Sequence, residues 1–315
     1  MEIITLTPRL VEKMWGSRSM AAELGKADGD KPVGESWEVY DFPPGVVDAE
    51  AWASAPTSAG GTLHELMRSD RDALLGPHKG VETPDGEQFP LLVKFLFAGD
   101  DLSVQVHPDD DYAAKHPDAH LKNECWTIMH TETGARLLAG LEDGVSRERF
   151  EQAIEDGTLE DLLGTVPAVV GRTHYLPSGT VHALGGGCTV AEIQTPSDTT
   201  YRVFDFNRVD PKSGRPRELH VRQALECINF DDPNPPPPAV DPADGDVIVR
   251  TPQFTVTHRT TGELADGFAV LVGLDGTGQV AGHRLGRGDV LLLPHEREAV
   301  AVESPGTFLE VRLPG

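Results

Sequence analysis

Two polar side chains alternate with valine in the stretch Ser103-Val-Gln-Val-His-Pro108. Successive side chains of a β-strand point to opposite faces, so Gln105 and His107 are expected to project from the same face of one strand. An imidazole is a common ligand of divalent metal ions, and an amide oxygen can bind beside it. The stretch therefore predicts a strand that carries part of a metal site.

Two segments further along the chain carry side chains that could complete this site. The segment Lys122-Asn-Glu-Cys-Trp126 brings the carboxylate of Glu124, and Leu176-Pro-Ser-Gly-Thr-Val-His-Ala-Leu184 places a Pro-Ser-Gly turn before the strand that carries His182. Zinc binds histidine and carboxylate in a compact shell and accepts amide oxygen in the same sphere. We therefore predict one Zn²⁺ per chain, held by Gln105, His107, Glu124 and His182.

Three cations occur in or beside these strand-like segments. Lys94 interrupts the apolar run Phe89-Pro-Leu-Leu-Val-Lys-Phe-Leu-Phe97, where an unpaired charge would be costly, so it is expected to face a polar cavity or an anion. Lys122 precedes Glu124 by two residues, and Arg202 occupies an alternating position of a later strand. Such clustering suggests that the chain recognises a phosphorylated ligand. Glu192 is a further carboxylate suited to acid–base work.

The composition narrows the class of partner. The 315-residue chain has a formal net charge of −24, which disfavours nucleic acid and anionic membranes as partners and requires any phosphate pocket to be locally basic. Its three cysteines cannot all pair, which fits a reducing compartment. We find neither a signal-peptide pattern at the N-terminus nor an apolar run long enough to span a bilayer. A cytoplasmic protein with a small-molecule partner is therefore expected.

Short strands separated by Gly, Pro and Ser dominate the pattern, especially over residues 168–206. This spacing predicts a mainly β protein, built as an antiparallel sandwich or barrel. Two segments interrupt it as helices, residues 62–76 and residues 146–163, the first with Thr62 and Glu65 as a capping box. Residues 124–129 and 136–140 are expected to form a strand pair with a turn between them.

A Pro-rich acidic segment divides the chain. Residues 231–246 contain four consecutive prolines and are interpreted as a stiff linker. We predict a catalytic domain over residues 1–230 and a second β domain over residues 247–315. Within the latter, the run Asp289-Val-Leu-Leu-Leu-Pro294 repeats the strand before the Pro-Ser-Gly turn only weakly, which suggests a degenerate β-barrel without metal ligands.

The phrases taken together resemble those of the type I phosphomannose isomerases, in their shorter bacterial form. They occur in order over residues 34–208: Gly34-Glu-Ser-Trp-Glu38, Leu91-Leu-Val-Lys94, Ser103-Val-Gln-Val-His-Pro108, Lys122-Asn-Glu-Cys-Trp126, Pro177-Ser-Gly-Thr-Val-His-Ala-Leu184 and Thr200-Tyr-Arg-Val-Phe-Asp205. The resemblance implies cupin-type jelly-roll barrels and an aldose–ketose isomerase that interconverts mannose 6-phosphate and fructose 6-phosphate by proton transfer between C1 and C2. It also implies that Arg202 is catalytic, that Lys122 transfers protons, and that Ser103 and Lys94 line the substrate pocket.

Some alternatives stay open at the level of sequence. Either Lys122 or Glu192 could be the base, and Asn123 stands where related sequences often carry Thr or Pro, a change that we expect to be tolerated. A cupin with another metal chemistry, such as an iron dioxygenase, would not need the clustered cations. A non-catalytic sugar-binding cupin would bind without turnover, and a related isomerase could use a different sugar phosphate.

Overall fold

The computed structural model describes residues 1–47, 51–230, 241–303 and 306–314. The helices are α1 Arg18–Glu23, α2 Leu63–Ser69, α3 Arg71–Leu75, α4 Asp110–Ala113, α5 Arg147–Asp156 and α6 Val221–Cys227, with a 3₁₀ helix at Leu159–Leu162. The strands are β1 Ile4–Thr5, β2 Arg9–Glu12, β3 Val33–Val39, β4 Asp41–Phe42, β5 Ala53–Ser54, β6 Val81–Thr83, β7 Gly86–Gln88, β8 Leu92–Ala98, β9 Val104–Val106, β10 Glu124–Thr131, β11 Arg136–Leu141, β12 Leu163–Pro167, β13 Thr173–Leu176, β14 His182–Leu184, β15 Cys188–Gln194, β16 Tyr201–Phe204, β17 Val209–Asp210, β18 Arg215–Pro216, β19 Val247–Arg250, β20 Thr255–Arg259, β21 Gly262–Leu264, β22 Ala269–Val280, β23 His283–Gly286, β24 Val290–Leu293, β25 Val300–Glu303 and β26 Gly306–Arg312.

Two antiparallel sheets face each other and enclose the region of the predicted site. One sheet has the strand order β13-β10-β15-β8-β3-β2, and the other has the order β12-β11-β14-β9-β16. Side chains from both sheets, such as Trp126, Val190 and Leu137, meet in one buried apolar cluster. The predicted mainly β, cupin-type architecture is confirmed.

Strand β8 shows why its sequence is apolar on both faces. Val93, Phe95 and Phe97 pack into a core that also contains Phe254 and Phe268 of the C-terminal region. Residues of the opposite parity point between the two facing sheets, where Leu96 joins the inner cluster. Because period two governs a strand, Lys94 lies on this inner face and not among the phenylalanines. The lysine that interrupts the apolar run is therefore directed into the interior of the sandwich.

The predicted helices are present with the expected end signals. Residues 62–76 form α2 and α3, and Thr62 and Glu65 make the reciprocal hydrogen bonds of a capping box. The side chain of Ser146 caps α5, which ends at Gly157 in the left-handed conformation and is followed by the 3₁₀ helix. Within the described ranges, no helix is both long and apolar enough to cross a bilayer.

The expected strand pair at residues 124–129 and 136–140 is wrong in its pairing. Both segments are strands, but β10 pairs with β13 and β15, whereas β11 pairs with β12 and β14. The turn between them, which contains Gly134 at φ 85°, carries the chain from one sheet to the facing one. In a sandwich, short connections also join the two layers, so closeness in sequence does not establish hydrogen-bonded partners.

The C-terminal strands form a third antiparallel sheet that also includes the start of the chain. Its strand order is β1-β24-β22-β26-β20-β19, and β1 pairs with β24 through Ile4 opposite Leu292. The rings of Phe89 and Phe268 lie 5.9 Å apart within the core that this sheet shares with β8. Of the predicted linker, residues 231–240 lie outside the described residues, and the domain boundaries at residues 230 and 247 stay a prediction.

Candidate metal centre and active-site cavity

Three side chains from separate strands converge between the facing sheets. His107 directly follows β9, Glu124 begins β10 and His182 begins β14. Glu124 Oε1 lies 3.4 Å from His107 Nε2 and 2.9 Å from His182 Nε2, and one ligand atom of each residue lies within 4.8 Å of the other two. All three side chains are buried. The structure therefore brings together three of the four predicted ligands as a group that could hold a metal ion.

Backbone carbonyls fix the orientation of both imidazoles. His107 Nδ1 lies 3.0 Å from the Thr199 carbonyl oxygen, and His182 Nδ1 lies 2.8 Å from that of Thr180. Because a carbonyl oxygen only accepts, each Nδ1 carries the proton and each Nε2 turns a lone pair towards Glu124. Burial and the nearby Lys122 ammonium lower the pKa of His107 to about 3, which favours the neutral, ligating form.

The donor set fits a divalent cation. Among the described residues, His107 Nε2 is buried without a hydrogen-bond partner, and so is Glu124 Oε1, which faces the two imidazole nitrogens. Lone pairs of imidazole nitrogen directed at a carboxylate oxygen repel it unless a positive charge lies between them. Two neutral imidazoles with Nδ1–H bound to carbonyls, together with one carboxylate, are the oriented ligands that zinc sites use.

Gln105 lies beside this group, but its side-chain nitrogen, not its oxygen, faces the other ligand candidates. It is opposite His182 in the pairing of β9 with β14, and its Nε2 is 3.4 Å from His182 Nε2. A half-turn of the amide would exchange its nitrogen and oxygen and bring the oxygen towards the same point. The structure therefore places Gln105 next to the three-residue group, while its role as a fourth ligand stays a prediction.

A row of alternating charges runs from the candidate metal centre across the inner face of the larger sheet. Lys122 Nζ lies 2.9 Å from Glu124 Oε2 and 3.7 Å from Glu192 Oε1. Lys94 Nζ lies 3.2 Å from Glu192 Oε2 and 3.9 Å from Glu35 Oε2. Burial raises the pKa of the Glu192 carboxyl to about 7, against the lowering effect of Lys94. Although burial opposes its charge, Glu192 and Glu35 raise the pKa of Lys94.

Of these groups, Lys122, Glu192, Lys94 and Glu35 border a cavity of about 250 Å³. The predicted residues in its wall are Lys94, Ser103, Gln105, Lys122, Glu192 and Arg202. The three metal-ligand candidates are not in the wall itself but lie next to residues that are. Glu124 contacts the wall residue Lys122, and the ring of His182 lies 5.2 Å from that of the wall residue Trp126. The cavity wall therefore brings together the six predicted residues other than His107, Glu124 and His182, and the latter three lie behind it.

Arg202 presents its charge to this cavity. Its Nε donates to Ser103 Oγ at 3.1 Å, and its Nη1 donates to the Glu218 carbonyl oxygen at 2.9 Å. Both partners are neutral, so these two bonds hold the guanidinium without cancelling its charge. Burial and the neighbouring Arg217 lower the pKa of Arg202. An anion bound in the cavity, such as a phosphate or a developing oxyanion, would stabilise the buried Arg202 guanidinium beside Arg217.

Four charged residues of the cavity wall were missed by the sequence analysis: Lys13, Glu35, Asp198 and Arg217. Glu35 had a usable signal, because it is a carboxylate inside the fully buried strand β3 and interrupts apolar residues as Lys94 does in β8. The other three lie outside the strands that carry the motifs. Their approach depends on loop paths that no local pattern encodes.

Comparisons with known proteins agree with this geometry. Residues 3–124 match the family described as phosphomannose isomerase type I, catalytic domain. The mannose-6-phosphate isomerase of Streptococcus mutans is 36% identical over 260 residues, which cover 81% of this chain and 78% of that protein. The chain belongs to the type I phosphomannose isomerase family. The family prediction made from the sequence is thus confirmed.

Solved structures extend the likeness of this phosphomannose isomerase family member over its whole length. The mannose 6-phosphate isomerase of Bacillus subtilis matches with a TM-score of 0.80 and 29% identity over 99% of this chain and 100% of that chain. A mannose 6-phosphate isomerase bound with zinc and yttrium matches with a TM-score of 0.74 and 16% identity, covering 99% of this chain and 100% of that chain. At this low identity, the second match shows that the two chains share a fold.

Removal of one imidazole should abolish metal binding. We expect purified His107→Ala to contain well under one zinc per chain, because the remaining ligands leave the Glu124 carboxylate poorly matched to the ion. Elemental analysis after dialysis against trace zinc measures this. His116→Ala is the matched control, since its ring contacts Glu226 at an exposed site and should leave the zinc content unchanged. Stoichiometric zinc in His107→Ala would contradict the assignment.

Proposed function

We propose that this protein is a zinc-dependent isomerase that interconverts mannose 6-phosphate and fructose 6-phosphate by proton transfer between C1 and C2. The observation that carries the proposal is the joining of a His107–Glu124–His182 group to a cavity whose wall holds acid–base residues and cations. Membership of the type I phosphomannose isomerase family supports the same substrate. The unpaired, buried cysteines support a cytoplasmic location.

The metal would be held by His107, Glu124 and His182, with Gln105 as the predicted fourth ligand. When bound, it supplies Lewis-acid polarisation of the sugar oxygens at the reacting carbons. Nitrogen and carboxylate donors favour zinc among the available ions. The zinc-bound isomerase with the same fold supports this choice.

Arg202 and Ser103 act together on substrate oxygens. Because Ser103 Oγ accepts a hydrogen bond from Arg202 Nε, its own hydroxyl proton is free to be donated into the cavity. The guanidinium keeps its positive charge throughout the working pH range and stabilises negative charge as it develops on the sugar. Glu192 and Glu35 already flank Lys94, so it is less suited than Arg202 to stabilise charge that develops during the reaction, and we assign it to the wall of the substrate pocket.

Proton transfer is assigned to the contacting pair Lys122 and Glu192. Their closest atoms, Lys122 Nζ and Glu192 Oε1, lie 3.7 Å apart, and both residues border the cavity. A carboxyl whose pKa is raised to about 7 is matched to accepting and returning a proton near neutral pH. Lys122 can hold the shared proton beside it, so either residue could make the direct contact with the sugar carbon.

The first test is a coupled assay for fructose 6-phosphate formed from mannose 6-phosphate. We expect turnover by the zinc-loaded protein, its loss after EDTA treatment, and its return when zinc is added, because the metal is held only by reversible ligand bonds. Zinc-loaded His116→Ala should match the wild type. A protein that holds one zinc and shows no turnover would refute the proposed reaction and favour the binding-only alternative.

Removal of the Arg202 charge should affect the reaction and spare the metal. We expect Arg202→Ala to lower kcat about 10²- to 10³-fold, the usual cost of losing one electrostatic stabiliser of the transition state. Zinc content should stay at one per chain because Arg202 contacts none of the three ligand candidates. Arg149→Ala on the exposed face of α5 is the control and should keep wild-type rates. Near-normal turnover in Arg202→Ala would contradict its role.

The base can be identified by chemical rescue. Loss of the residue that removes the proton should cost about 10²- to 10⁴-fold in kcat. If Lys122 is that residue, small primary amines should restore turnover in Lys122→Ala; if Glu192 is, formate should restore turnover in Glu192→Ala. The rates are measured with zinc content verified in each variant. Full activity in both variants would contradict the assignment to this pair.

A further inference from the structure

Asn123 lies between two site residues, Lys122 and Glu124, and all of its polar groups are engaged. Its backbone N–H donates to Thr195 Oγ1 at 3.2 Å, and its carbonyl oxygen accepts from the Thr195 N–H at 3.0 Å. Its side-chain Oδ1 accepts from the Ser178 backbone N–H at 2.9 Å, and Nδ2 donates to Gln253 Oε1 at 3.2 Å. One buried amide thus connects three separate segments of the chain.

The orientation of this amide is determined by its partners. A backbone N–H can only donate, so the atom that faces Ser178 must be the oxygen of Asn123. The nitrogen then faces Gln253, whose side-chain oxygen must accept. The arrangement needs an amide at residue 123, because only an amide offers an acceptor and a donor at one planar group.

The segment fixed by Asn123 is the turn that orients the His182 ring and bonds the backbone of His107. Gly179, next to Ser178, donates its N–H to the His107 carbonyl oxygen at 2.9 Å. The carbonyl oxygen of Thr180 in the same turn receives the Nδ1–H of His182 at 2.8 Å. A shift of this turn would therefore move the carbonyl that selects the His182 tautomer and the backbone next to His107.

The other partner, Gln253, comes from a tight loop of the C-terminal sheet. Thr251 Oγ1 accepts from the backbone N–H groups of Gln253 and Phe254, at 3.1 and 2.9 Å. The ring of Phe254 is completely buried in the core shared with β8. This loop is thus fixed at its own end, and its glutamine provides a rigid support for the Asn123 side chain.

We propose that Asn123 is a positioning residue for the metal centre, and that the C-terminal sheet acts on this centre through the Gln253–Asn123 hydrogen bond. The inference rests on the proposed zinc site. It gives the C-terminal region a part in the reaction: it stabilises the turn at residues 177–180, and through that turn the direction of the His182 lone pair and the position of the His107 backbone. Neither residue contacts the substrate cavity.

The test compares zinc affinity, kcat, KM and thermal stability in four variants: Asn123→Ala, Gln253→Ala, Gln253→Glu and Val256→Ala. Zinc Kd is measured by competition with a chelating dye. We expect Asn123→Ala to raise the zinc Kd about 10- to 100-fold, as for other groups that orient metal ligands. Gln253→Ala should change it in the same direction but less, since the Ser178 contact is kept. Gln253→Glu should restore it, because a carboxylate still accepts from Asn123 Nδ2.

Val256→Ala controls for a general loss of stability. Val256 is fully buried in the same C-terminal sheet and is not among the hydrogen-bond partners of Asn123, so its replacement by alanine should lower Tm without changing the zinc Kd. Wild-type zinc affinity in both alanine variants at residues 123 and 253, with only Tm lowered, would overturn the inference. A Gln253→Glu variant as weak as Gln253→Ala would also overturn it.

The outcomes separate this inference from the proposed function. If the wild-type protein binds zinc and turns over mannose 6-phosphate, and the variants at residues 123 and 253 keep the wild-type zinc Kd, the positioning role alone is overturned. Wild-type protein that binds no zinc overturns the proposed function and this inference together. If Asn123→Ala does not fold, the half-buried Gln253 still provides the alanine and glutamate comparison.

Discussion

A carboxylate buried completely inside a β sandwich is the constraint on which the rest of this structure depends. Glu124 has no exposed surface, and burial of an isolated charge would cost many kcal/mol. Lys122 at 2.9 Å, together with the other charges around Glu124, holds its pKa well below the usual value despite that burial. The imidazoles of His107 and His182 face the same carboxylate with lone pairs and leave a place for a cation. Charge balance, rather than apolar packing, therefore specifies the interior at this point.

The sheets meet this constraint by giving each strand two different faces. On β8, β10 and β15, one face packs apolar side chains and the other carries the alternating charges of Lys94, Glu192 and Glu124. Such a sheet needs a cover on its apolar face, and the C-terminal strands provide it through Phe254 and Phe268. The C-terminal region is thus required by the same alternation that builds the site. Its contact with Asn123 adds a polar connection to this apolar cover.

The sequence predicted those features that depend on neighbouring residues. It did not predict which distant segments of the chain pair or meet. Period two predicted that Gln105 and His107 project together, and both side chains lie beside the His182 ring. The capping box correctly predicted a helix that begins after Thr62. The predicted partner of β10 was wrong because strand pairing in a sandwich depends on which of the two sheets the chain joins after a turn. The pairing of β1 with β24 joins the two ends of the chain and has no local signal at all. Lys13 and Arg217 reach the cavity from outside the motif strands for the same reason.

The strongly acidic surface is compatible with an anionic substrate because the two act at different distances. Surface charges are screened over a Debye length of about 8 Å at physiological ionic strength. Inside the cavity the local balance is reversed: five cations and three carboxylates of the described chain line it. Most of the cations are already paired, Arg217 with Asp205 and Lys94 with Glu192. Arg202 differs because its guanidinium is held by a hydroxyl and a carbonyl. Arg202 is thus the wall cation to which the described residues give no carboxylate partner, and we expect an anion to be most stable beside it.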